Sequence, residues 1–308
     1  EFLKTILISY QPDASLQSMR YLIITAPIFE SGLASFVNHK SANGFTVDLF
    51  NTTTTGTTTT AIKSFIQARY DNAATRPEFV LLVGDVQHIP SWIGSGEGNP
   101  NTDLNYVQLA GSDKFADAFI GRFSVTTAQE LENALAKSIY MENYIATLAK
   151  KNIFMASTDN YTITEGTHNY VINTYFQPAG WDNLKLYTVT YNATTQQLID
   201  ALNANQRFAI YSGHGAETYW ADGPVLNQAQ VRALTNTVIY PFVYSFACIT
   251  GSYHIAECFG ETWIRTTNGG STFYGSSVNS YWDEDDILER RLIRAMFEDD
   301  LTRVTPMF

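Results

Sequence analysis

Residues 208–215 read FAIYSGHG, and residues 241–251 read PFVYSFACITG. Each segment begins as a short apolar run that predicts a buried β-strand, and each ends in small or polar residues that close the strand. The first strand leads to His214 between two glycines, and the second leads to Cys248. Reactive groups collect where the parallel strands of an open α/β sheet end. If both strands lie in one parallel sheet, an imidazole and a thiol reach the same sheet edge.

A thiol beside an imidazole is the arrangement that cysteine nucleophiles use. A free thiol, with a pKa of about 8.5, is only slightly ionised at neutral pH, and a neighbouring imidazolium favours the thiolate. We therefore predict that Cys248 is a nucleophile and that His214 activates it or protonates the leaving group. The alternatives are a structural histidine, and two cysteines that form a disulfide or are buried as small apolar side chains. Burial is the favoured interpretation for Cys258, which begins an apolar helical run.

The composition is that of a folded, acidic protein. The chain has 308 residues, 45% apolar and 16% charged, with a net charge of −11. This balance argues against nucleic-acid binding, because phosphate contacts need clustered Lys and Arg. No apolar run reaches the length of a transmembrane segment. The sequence shows neither a signal peptide nor an initiator Met, and it begins at Glu1, which predicts a processed or trimmed product.

Strand-like runs alternate with amphipathic helical runs, which is typical of βαβ units and a parallel sheet. The predicted strands are 21–25, 45–49, 79–83, 118–123, 152–156, 184–189, 208–211, 242–247 and 272–275. The predicted helices are 28–40, 60–70, 128–149, 167–176, 195–203, 228–234 and 257–265, and another that reaches residue 297. The threonine-rich segment 51–60 is predicted to be a loop whose last threonines cap the next helix. We predict an N-terminal α/β subdomain at 1–150 and a catalytic α/β subdomain at 151–308.

The histidine and cysteine segments resemble, in this order, those of the caspase-like clan of cysteine peptidases, and within it the gingipains. Residues 213–222 (GHGAETYWAD) are similar to the gingipain histidine segment, and residues 247–250 (ACIT) with 257–261 (ECFGE) are similar to the nucleophile segment. Three earlier segments follow the gingipain pattern in the same order: 21–27, 80–85 and 119–123. The resemblance therefore covers nearly the whole chain.

The gingipain resemblance implies a caspase-like three-layer αβα sandwich, with two side-by-side subdomains that each hold a mostly parallel sheet. It implies a secreted or bacterial cell-surface cysteine endopeptidase, which acts through a thioester on proteins or peptides with basic residues and needs no cofactor. It also implies a removed propeptide, and further strands and an immunoglobulin-like domain after the position of Phe308, so the catalytic subdomain looks truncated. The alternatives are a transpeptidase that attaches secreted proteins to a surface anchor, and a catalytically inactive binding module.

The same resemblance implies the remaining catalytic groups. The N–H groups of Gly215 and Cys248 would form the oxyanion hole, since substrate can approach a glycine closely. An acid that follows the first strand of the second subdomain would orient the imidazole, and Asp159 occupies that place. The alternative for Asp159 is an Asx turn with Asn160.

Residues 276–286 (SSVNSYWDEDD) resemble the pocket segment of the lysine-specific gingipains. Position by position, Asp285 would bind the substrate ammonium group and Trp282 would form an aromatic wall. Ser212, at the end of the first strand, is assigned to substrate binding as well. The alternative is that the acidic run only forms the first turn of a helix. Glu165 lies near the place of the pocket acid in arginine-specific relatives, so Arg specificity stays open.

Bound calcium is also part of what the gingipain resemblance implies. A loop rich in Gly, Ser, Asn and Pro at 91–103 and the segments around it carry several carboxylates, which are the ligands that hard cations prefer. The alternative is that these carboxylates are simply solvated. The predicted ligands are Asp85, Glu97, Asp103, Asp113 and Asp117.

Overall fold

A computed structural model describes residues 19–298. In chain order, its strands are β1 (Arg20–Thr25), β2 (Thr46–Asn51), β3 (Phe79–Val83), β4 (Trp92–Ile93), β5 (Asn101–Thr102), β6 (Phe119–Phe123), β7 (Lys151–Ala156), β8 (Asp182–Tyr187), β9 (Phe208–Ser212), β10 (Gly215–Ala216), β11 (Tyr219–Trp220), β12 (Leu226–Asn227), β13 (Phe242–Phe246) and β14 (Thr272–Gly275). Its α-helices are α1 (Ala34–Ala42), α2 (Thr52–Thr55), α3 (Thr59–Asp71), α4 (Ala128–Tyr144), α5 (Tyr161–Val171), α6 (Thr188–Tyr191), α7 (Thr195–Asn203), α8 (Gln228–Arg232), α9 (Phe259–Arg265) and α10 (Trp282–Glu298). Short 3-10 helices at Pro27–Leu33 and Leu104–Tyr106 and a π-helical turn at Ile172–Phe176 complete the helical elements.

Two parallel sheets form the centre of the protein. The first has the strand order β2-β1-β3-β6, and the second has the order β14-β13-β9-β7-β8. All neighbouring strands within these two sheets run parallel. Every residue of β3, β9 and β13 is buried, as expected for apolar strands that are covered on both faces. The predicted parallel α/β class is confirmed.

Helices cover both faces of each sheet. Ile153 and Phe154 are neighbours on β7, yet they belong to different buried clusters. Ile23 and Ile24 on β1 are divided between two clusters in the same way. Successive strand residues point to opposite faces, so each sheet is the middle layer of three. This confirms the predicted αβα sandwich, and the predicted boundary near residue 150 falls in the connection between α4 and β7.

Polar side chains set where several helices begin. Thr127 and Glu130 form a capping box at the start of α4. The hydroxyl of Thr58 accepts a hydrogen bond from Ala61 N (3.2 Å), so the threonine-rich segment caps α3 as expected. Part of that segment is helical rather than loop, because the side chain of Asn51 accepts from Thr53 N (2.9 Å) and starts the single turn α2.

Other element bounds differ from the predictions for local reasons. The helix predicted at 128–149 ends at Tyr144, where Thr147 donates from both its backbone and its hydroxyl to the Tyr144 carbonyl. The helix predicted from residue 167 already begins at Tyr161, after the left-handed residue Asn160. The antiparallel strands β10, β11 and β12 were not predicted, because two-residue strands are too short to show an alternating pattern.

Arg265 on α9 joins the two sheets through a buried polar network. Its guanidinium donates to Asp85 (2.8 Å) after β3, to Glu261 (2.6 Å) and to the carbonyl of Ser124 (2.8 Å) after β6. Burial raises the pKa of Glu261 to about 7, although Arg265 opposes this shift. The network attaches the ends of two strands in the first sheet to a helix that packs on the second.

Lys137 on α4 makes a second buried connection between the two halves of the described chain, residues 19–150 and 151–298. Its side chain is buried, and Nζ donates to the carbonyls of Trp263 (2.8 Å), Thr266 (2.6 Å) and Asn268 (2.8 Å). Burial lowers the pKa of this amine to about 7. Three carbonyl groups at and just after the end of α9 therefore accept from one donor of the other half.

We expect Lys137→Met to lower the free energy of unfolding by about 1–3 kcal/mol, because it leaves buried carbonyls without a donor. Urea denaturation at neutral pH measures the change. Lys114→Met is the matched control, since Lys114 is exposed. Equal stability of the two variants would show that these three hydrogen bonds do not stabilise the contact between the halves.

Candidate active site

The structure places His214 and Cys248 at the same edge of the second sheet, as the sequence predicts. β9 and β13 pair in parallel with Ser212 opposite Phe246. His214 and Cys248 each follow this aligned pair by two residues. Gly213 N donates to the Phe246 carbonyl (3.1 Å), so the pairing continues one residue past β9.

The backbone of His214 is held by a buried tyrosine. The Tyr211 hydroxyl donates to the carbonyls of His214 (2.7 Å) and Asp222 (2.8 Å), and Ala221 N donates to the same His214 oxygen (2.9 Å). Burial raises the pKa of the Tyr211 phenol, so it stays a donor. A Cβ at Gly213 would lie 2.5 Å from this hydroxyl. The tyrosine therefore requires a glycine immediately before the histidine.

The His214 side chain contacts Asp159, which follows β7. Nε2 lies 3.1 Å from Asp159 Oδ2, and the two side chains are 48% and 60% exposed. The imidazole meets the ring of Trp282 edge-on, with 5.1 Å between the ring centroids. The Asp159 carboxylate therefore contacts the imidazole rather than closing an Asx turn with Asn160, as expected for a residue that orients His214.

Asp222 holds the backbone on which Asp159 lies. Its carboxylate accepts from Thr158 N (2.8 Å), from the Thr158 hydroxyl (2.7 Å) and from Asp159 N (3.0 Å). These hydrogen bonds lower the pKa of Asp222 against the opposing effect of its burial. The sequence predicted no role for this residue, and its only signal was its place at the end of the histidine segment.

The Cys248 thiol lies against the backbone of Ser280. Ser280 N donates to Sγ (3.4 Å), and Sγ lies 3.5 Å from the Ser280 carbonyl oxygen. Ile249, the next residue, adopts a left-handed conformation with φ of 49°, and its N–H donates to the Val278 carbonyl (2.8 Å). The chain therefore turns sharply after the thiol and packs on the segment that leads to α10.

Gly215 lies directly against the nucleophile segment. A Cβ at this position would lie 2.6 Å from the Cys248 carbonyl oxygen and 2.9 Å from the Ala247 side chain. Only glycine fits, so the backbones of the histidine and cysteine segments touch. The two N–H groups predicted to form the oxyanion hole belong to these adjoining segments.

Cys258 has an environment unlike that of Cys248. Both thiols are free, so the alternative of a disulfide between them is not formed. Cys258 is buried at the start of α9, where its N–H donates to Glu261 (2.7 Å). Burial, with a contribution from Glu261, raises the pKa of this thiol. The favoured interpretation of Cys258 as a buried structural residue agrees with these contacts.

Among the acids of the predicted pocket segment, Asp285 is distinctive. It is half-buried in the first turn of α10, and burial raises the pKa of its carboxyl to about 6, although a hydrogen bond from Ser280 opposes this shift. Within residues 19–298 it makes no ion pair, whereas Asp286 pairs with Arg290 (2.7 Å). Among the described residues, Asp285 is therefore a carboxylate without an ion-pair partner, and it lies close to Ser280, which contacts the Cys248 thiol.

The other two residues assigned to substrate binding are buried. Glu165 lies on α5, where the Thr190 hydroxyl donates to Oε2 (2.5 Å) and no group within residues 19–298 bonds to Oε1. Ser212 is 6% exposed at the end of β9, and its carbonyl accepts from Ser157 N (3.0 Å). Neither side chain opens toward solvent as that of Asp159 does.

The five acids predicted to bind calcium do not come together. Asp85 pairs with Arg265, and Asp103 makes a bidentate pair with Arg122 (2.7 and 2.8 Å). Asp117 accepts from two backbone N–H groups instead. Residues 19–298 contain no group of three or more His, Cys, Asp or Glu side chains that could hold a metal ion. Two of the predicted ligands, Asp85 and Asp103, are thus paired with arginines distant in sequence.

Glu97, in the first half of the chain, contacts the predicted pocket segment 276–286. The Tyr281 hydroxyl donates to Oε2 (2.6 Å), and the Asn279 amide lies 3.4 Å from Oε1. The Ser277 hydroxyl donates to the Asn101 carbonyl (3.3 Å) in the same loop. This loop, which carries Glu97 of the predicted calcium ligands, thus contacts residues 277–281, the segment that precedes α10.

A thiol, an imidazole and a carboxylate that follow neighbouring strands of a parallel sheet are the arrangement of a caspase-like cysteine peptidase. The model of peptidase family C25 matches residues 14–308, and the chain belongs to this family. It is 33% identical to Lys-gingipain of Porphyromonas gingivalis over 283 residues, which are 87% of this chain and 16% of that protein. Gingipain R1 of the same organism is 28% identical over 290 residues, 89% of this chain and 29% of that protein. The chain thus spans less than a third of these relatives.

Solved structures support the same fold. A structure described as a protease aligns with a TM-score of 0.81 and 30% identity, and covers 89% of this chain and 62% of that one. The Arg-specific cysteine proteinase gingipain R aligns with a TM-score of 0.82 and 24% identity, and covers 94% of this chain and 70% of that one. The predicted gingipain family and caspase-like fold are confirmed.

We expect Cys248 to react with iodoacetamide in the folded protein and Cys258 to react only after unfolding, because one thiol is half-buried at the sheet edge and the other is buried in a helix cap. Mass spectrometry of peptides after timed alkylation measures both. His214→Ala should slow the reaction of Cys248 alone. Faster labelling of Cys258 in the folded protein would contradict this assignment of the two thiols.

Proposed function

We propose that this protein is a cysteine endopeptidase that cleaves peptide bonds after a basic residue, with Lys preferred over Arg. The observation that carries the proposal is the free Cys248 thiol beside the strand end that carries His214, whose imidazole is bound to Asp159. The chemistry uses side chains and backbone N–H groups alone, so it needs no cofactor.

In the first half of the reaction, the Cys248 thiolate attacks the scissile carbonyl carbon. The N–H groups of Gly215 and Cys248 donate to the oxygen on which negative charge develops. When the tetrahedral intermediate collapses, the C–N bond breaks and the imidazolium of His214 gives its proton to the leaving amine. The products of this step are a thioester on Cys248 and a peptide with a new amino terminus.

In the second half, His214 is neutral and takes a proton from water. The resulting hydroxide attacks the thioester carbonyl, and the Cys248 thiolate leaves as the carboxylate product forms. Asp159 stabilises the imidazolium and keeps the ring oriented between the two steps. Each proton taken up by His214 is thus returned within one turnover.

Asp285 and Trp282 support the preference for a basic side chain. A half-buried carboxylate with no cation partner in residues 19–298 gains a charge-assisted hydrogen bond when a substrate ammonium group arrives. The methylene groups of a lysine side chain can lie along the indole of Trp282 while its charge reaches Asp285. A point charge at the pocket floor favours Lys over the planar Arg fork.

The proposal also covers where the protein acts, what its substrates are and how it is processed. We infer secretion or display at a bacterial cell surface, protein substrates and a removed propeptide. A complex of the pro- and mature domains of Porphyromonas gingivalis RgpB supports the propeptide, since it aligns with a TM-score of 0.80 and 25% identity over 90% of this chain and 68% of that one. No helix within residues 19–298 is long and apolar enough to cross a membrane. A structural calcium ion stays a prediction.

Cys248→Ala should abolish hydrolysis of a peptide library while the melting temperature stays nearly unchanged, because the thiol contributes little to core packing. Cys258→Ala should keep most of the activity, although it removes a buried side chain. Liquid chromatography with mass spectrometry identifies the cleaved bonds. Full activity of a folded Cys248→Ala variant would rule out this nucleophile.

Asp285→Asn should reduce kcat/KM at least tens-fold for a substrate with Lys at the cleaved position, with little effect on a matched Leu substrate. In the wild type, the ratio of the Lys rate to the Leu rate should fall as the pH drops through about 6, where Asp285 becomes neutral. Titrations of other groups change the rates for both substrates alike, so their effects cancel in this ratio.

Matched substrates with Lys, Arg, Leu and Asp test this pocket. A wild-type preference for Leu or Asp would contradict a basic-residue pocket. An Arg preference that is lost in Glu165→Gln but kept in Asp285→Asn would assign the pocket to Glu165 instead.

A further inference from the structure

We propose that Asp222 is a positioning residue that fixes the Asp159 carboxylate against the His214 imidazole. The inference rests on the proposed function, because it concerns the groups assigned to proton transfer. Asp222 is distinctive because its side chain accepts hydrogen bonds from the loop that carries Asp159. Its main-chain carbonyl accepts from the same Tyr211 hydroxyl as the carbonyl of His214.

The carboxylate of Asp222 is fully engaged by the loop after β7. Oδ2 accepts from Thr158 N (2.8 Å) and Asp159 N (3.0 Å), and Oδ1 accepts from the Thr158 hydroxyl (2.7 Å) and from Gly223 N (2.7 Å). Donors to a carboxylate favour its charged form. Asp222 therefore holds the backbone of Asp159 by charge-assisted hydrogen bonds, which are stronger than neutral ones.

The main chain of Asp222 is tied to the histidine loop. The Tyr211 hydroxyl donates both to the Asp222 carbonyl (2.8 Å) and to the His214 carbonyl (2.7 Å). The two carbonyl groups thus share one buried donor. A displacement of the Asp222 backbone would break a hydrogen bond on the histidine side and strain those on the Asp159 side.

The turn at Asp222 has no room to adjust. Gly223 adopts a φ of +77°, and a Cβ there would lie 2.4 Å from the Ala156 carbonyl oxygen at the end of β7. The turn therefore packs on the strand that leads into Thr158 and Asp159. Its position relative to that strand is set by backbone contact, so the Asp222 carboxylate presents its oxygens at a fixed place.

Fixing the backbone of Asp159 matters because the Asp159 and His214 side chains are 60% and 48% exposed. Water competes with an exposed ion pair, and two free side chains lose conformational entropy when they meet. Holding the backbone of Asp159 removes part of that cost. The titratable groups around this unit are Asp159, Asp222, Cys248 and the Tyr211 phenol.

The test follows the His214 imidazole by NMR at fixed pH in a Cys248→Ala background, which needs no catalytic activity. Asp159→Asn should shift the Nε2 signal, because it changes the group that contacts this nitrogen. Asp222→Asn should shift the signal in the same direction, and the double variant should match Asp159→Asn alone. Asp182→Asn is the control, since Asp182 is exposed at the opposite end of the sheet and should change nothing.

In the enzyme with Cys248 intact, Asp222→Asn should lower kcat about tenfold with little change in KM. If Asp222→Asn does not fold, as judged by circular dichroism, Thr158→Val serves instead: it removes only the hydroxyl donor and should move the His214 Nε2 signal by a smaller amount. An unchanged His214 Nε2 signal in a folded Asp222→Asn or Thr158→Val protein would overturn the proposal. Because the NMR measurement is independent of turnover, a failure of the peptidase assignment would be seen separately.

Discussion

The parallel pairing of β7, β9 and β13 is the constraint on which the candidate active site depends. Ala156, Ser212 and Phe246 lie in one row across these three strands. The carboxylate, the imidazole and the thiol each follow this row by two or three residues. A slip of one residue would exchange the two faces of a strand that is buried on both sides, so the register is strongly specified. The catalytic arrangement is therefore a consequence of core packing.

Buried polar groups contribute to the contact between the two halves, beside apolar residues such as Met141 and Ile145. Arg265 and Lys137 contribute buried donors to it, and Glu97 contributes an acceptor near the thiol. Buried polar groups are costly unless each finds its partner, so these networks favour one relative placement of the halves over others. Residues 277–281, next to Cys248, are thus held partly by the loop 91–103. That loop belongs to the half that carries none of the three catalytic candidates.

Continuous apolar runs were enough to predict the strands of the two parallel sheets, and the residues that end two of these runs were enough to place His214 and Cys248 at one sheet edge. The contacts that depend on distant parts of the chain were not predictable in this way. Asp222 has no local pattern that reveals its hydrogen bonds to Thr158. The pairing of Asp103 with Arg122 could not be predicted for the same reason, because the two residues lie far apart in sequence.

The exposure of the histidine and aspartate has a consequence for how the site becomes effective. In the free protein, water screens the contact between their charges, and the same pair interacts more strongly once water is displaced. In the proposed peptidase, a bound peptide would displace this water, so the substrate would complete the low-dielectric environment in which its own bond is broken. Peptide residues far from the scissile bond would then affect turnover by covering the pair. A short substrate, which leaves the pair exposed to water, would be cleaved more slowly than a longer one.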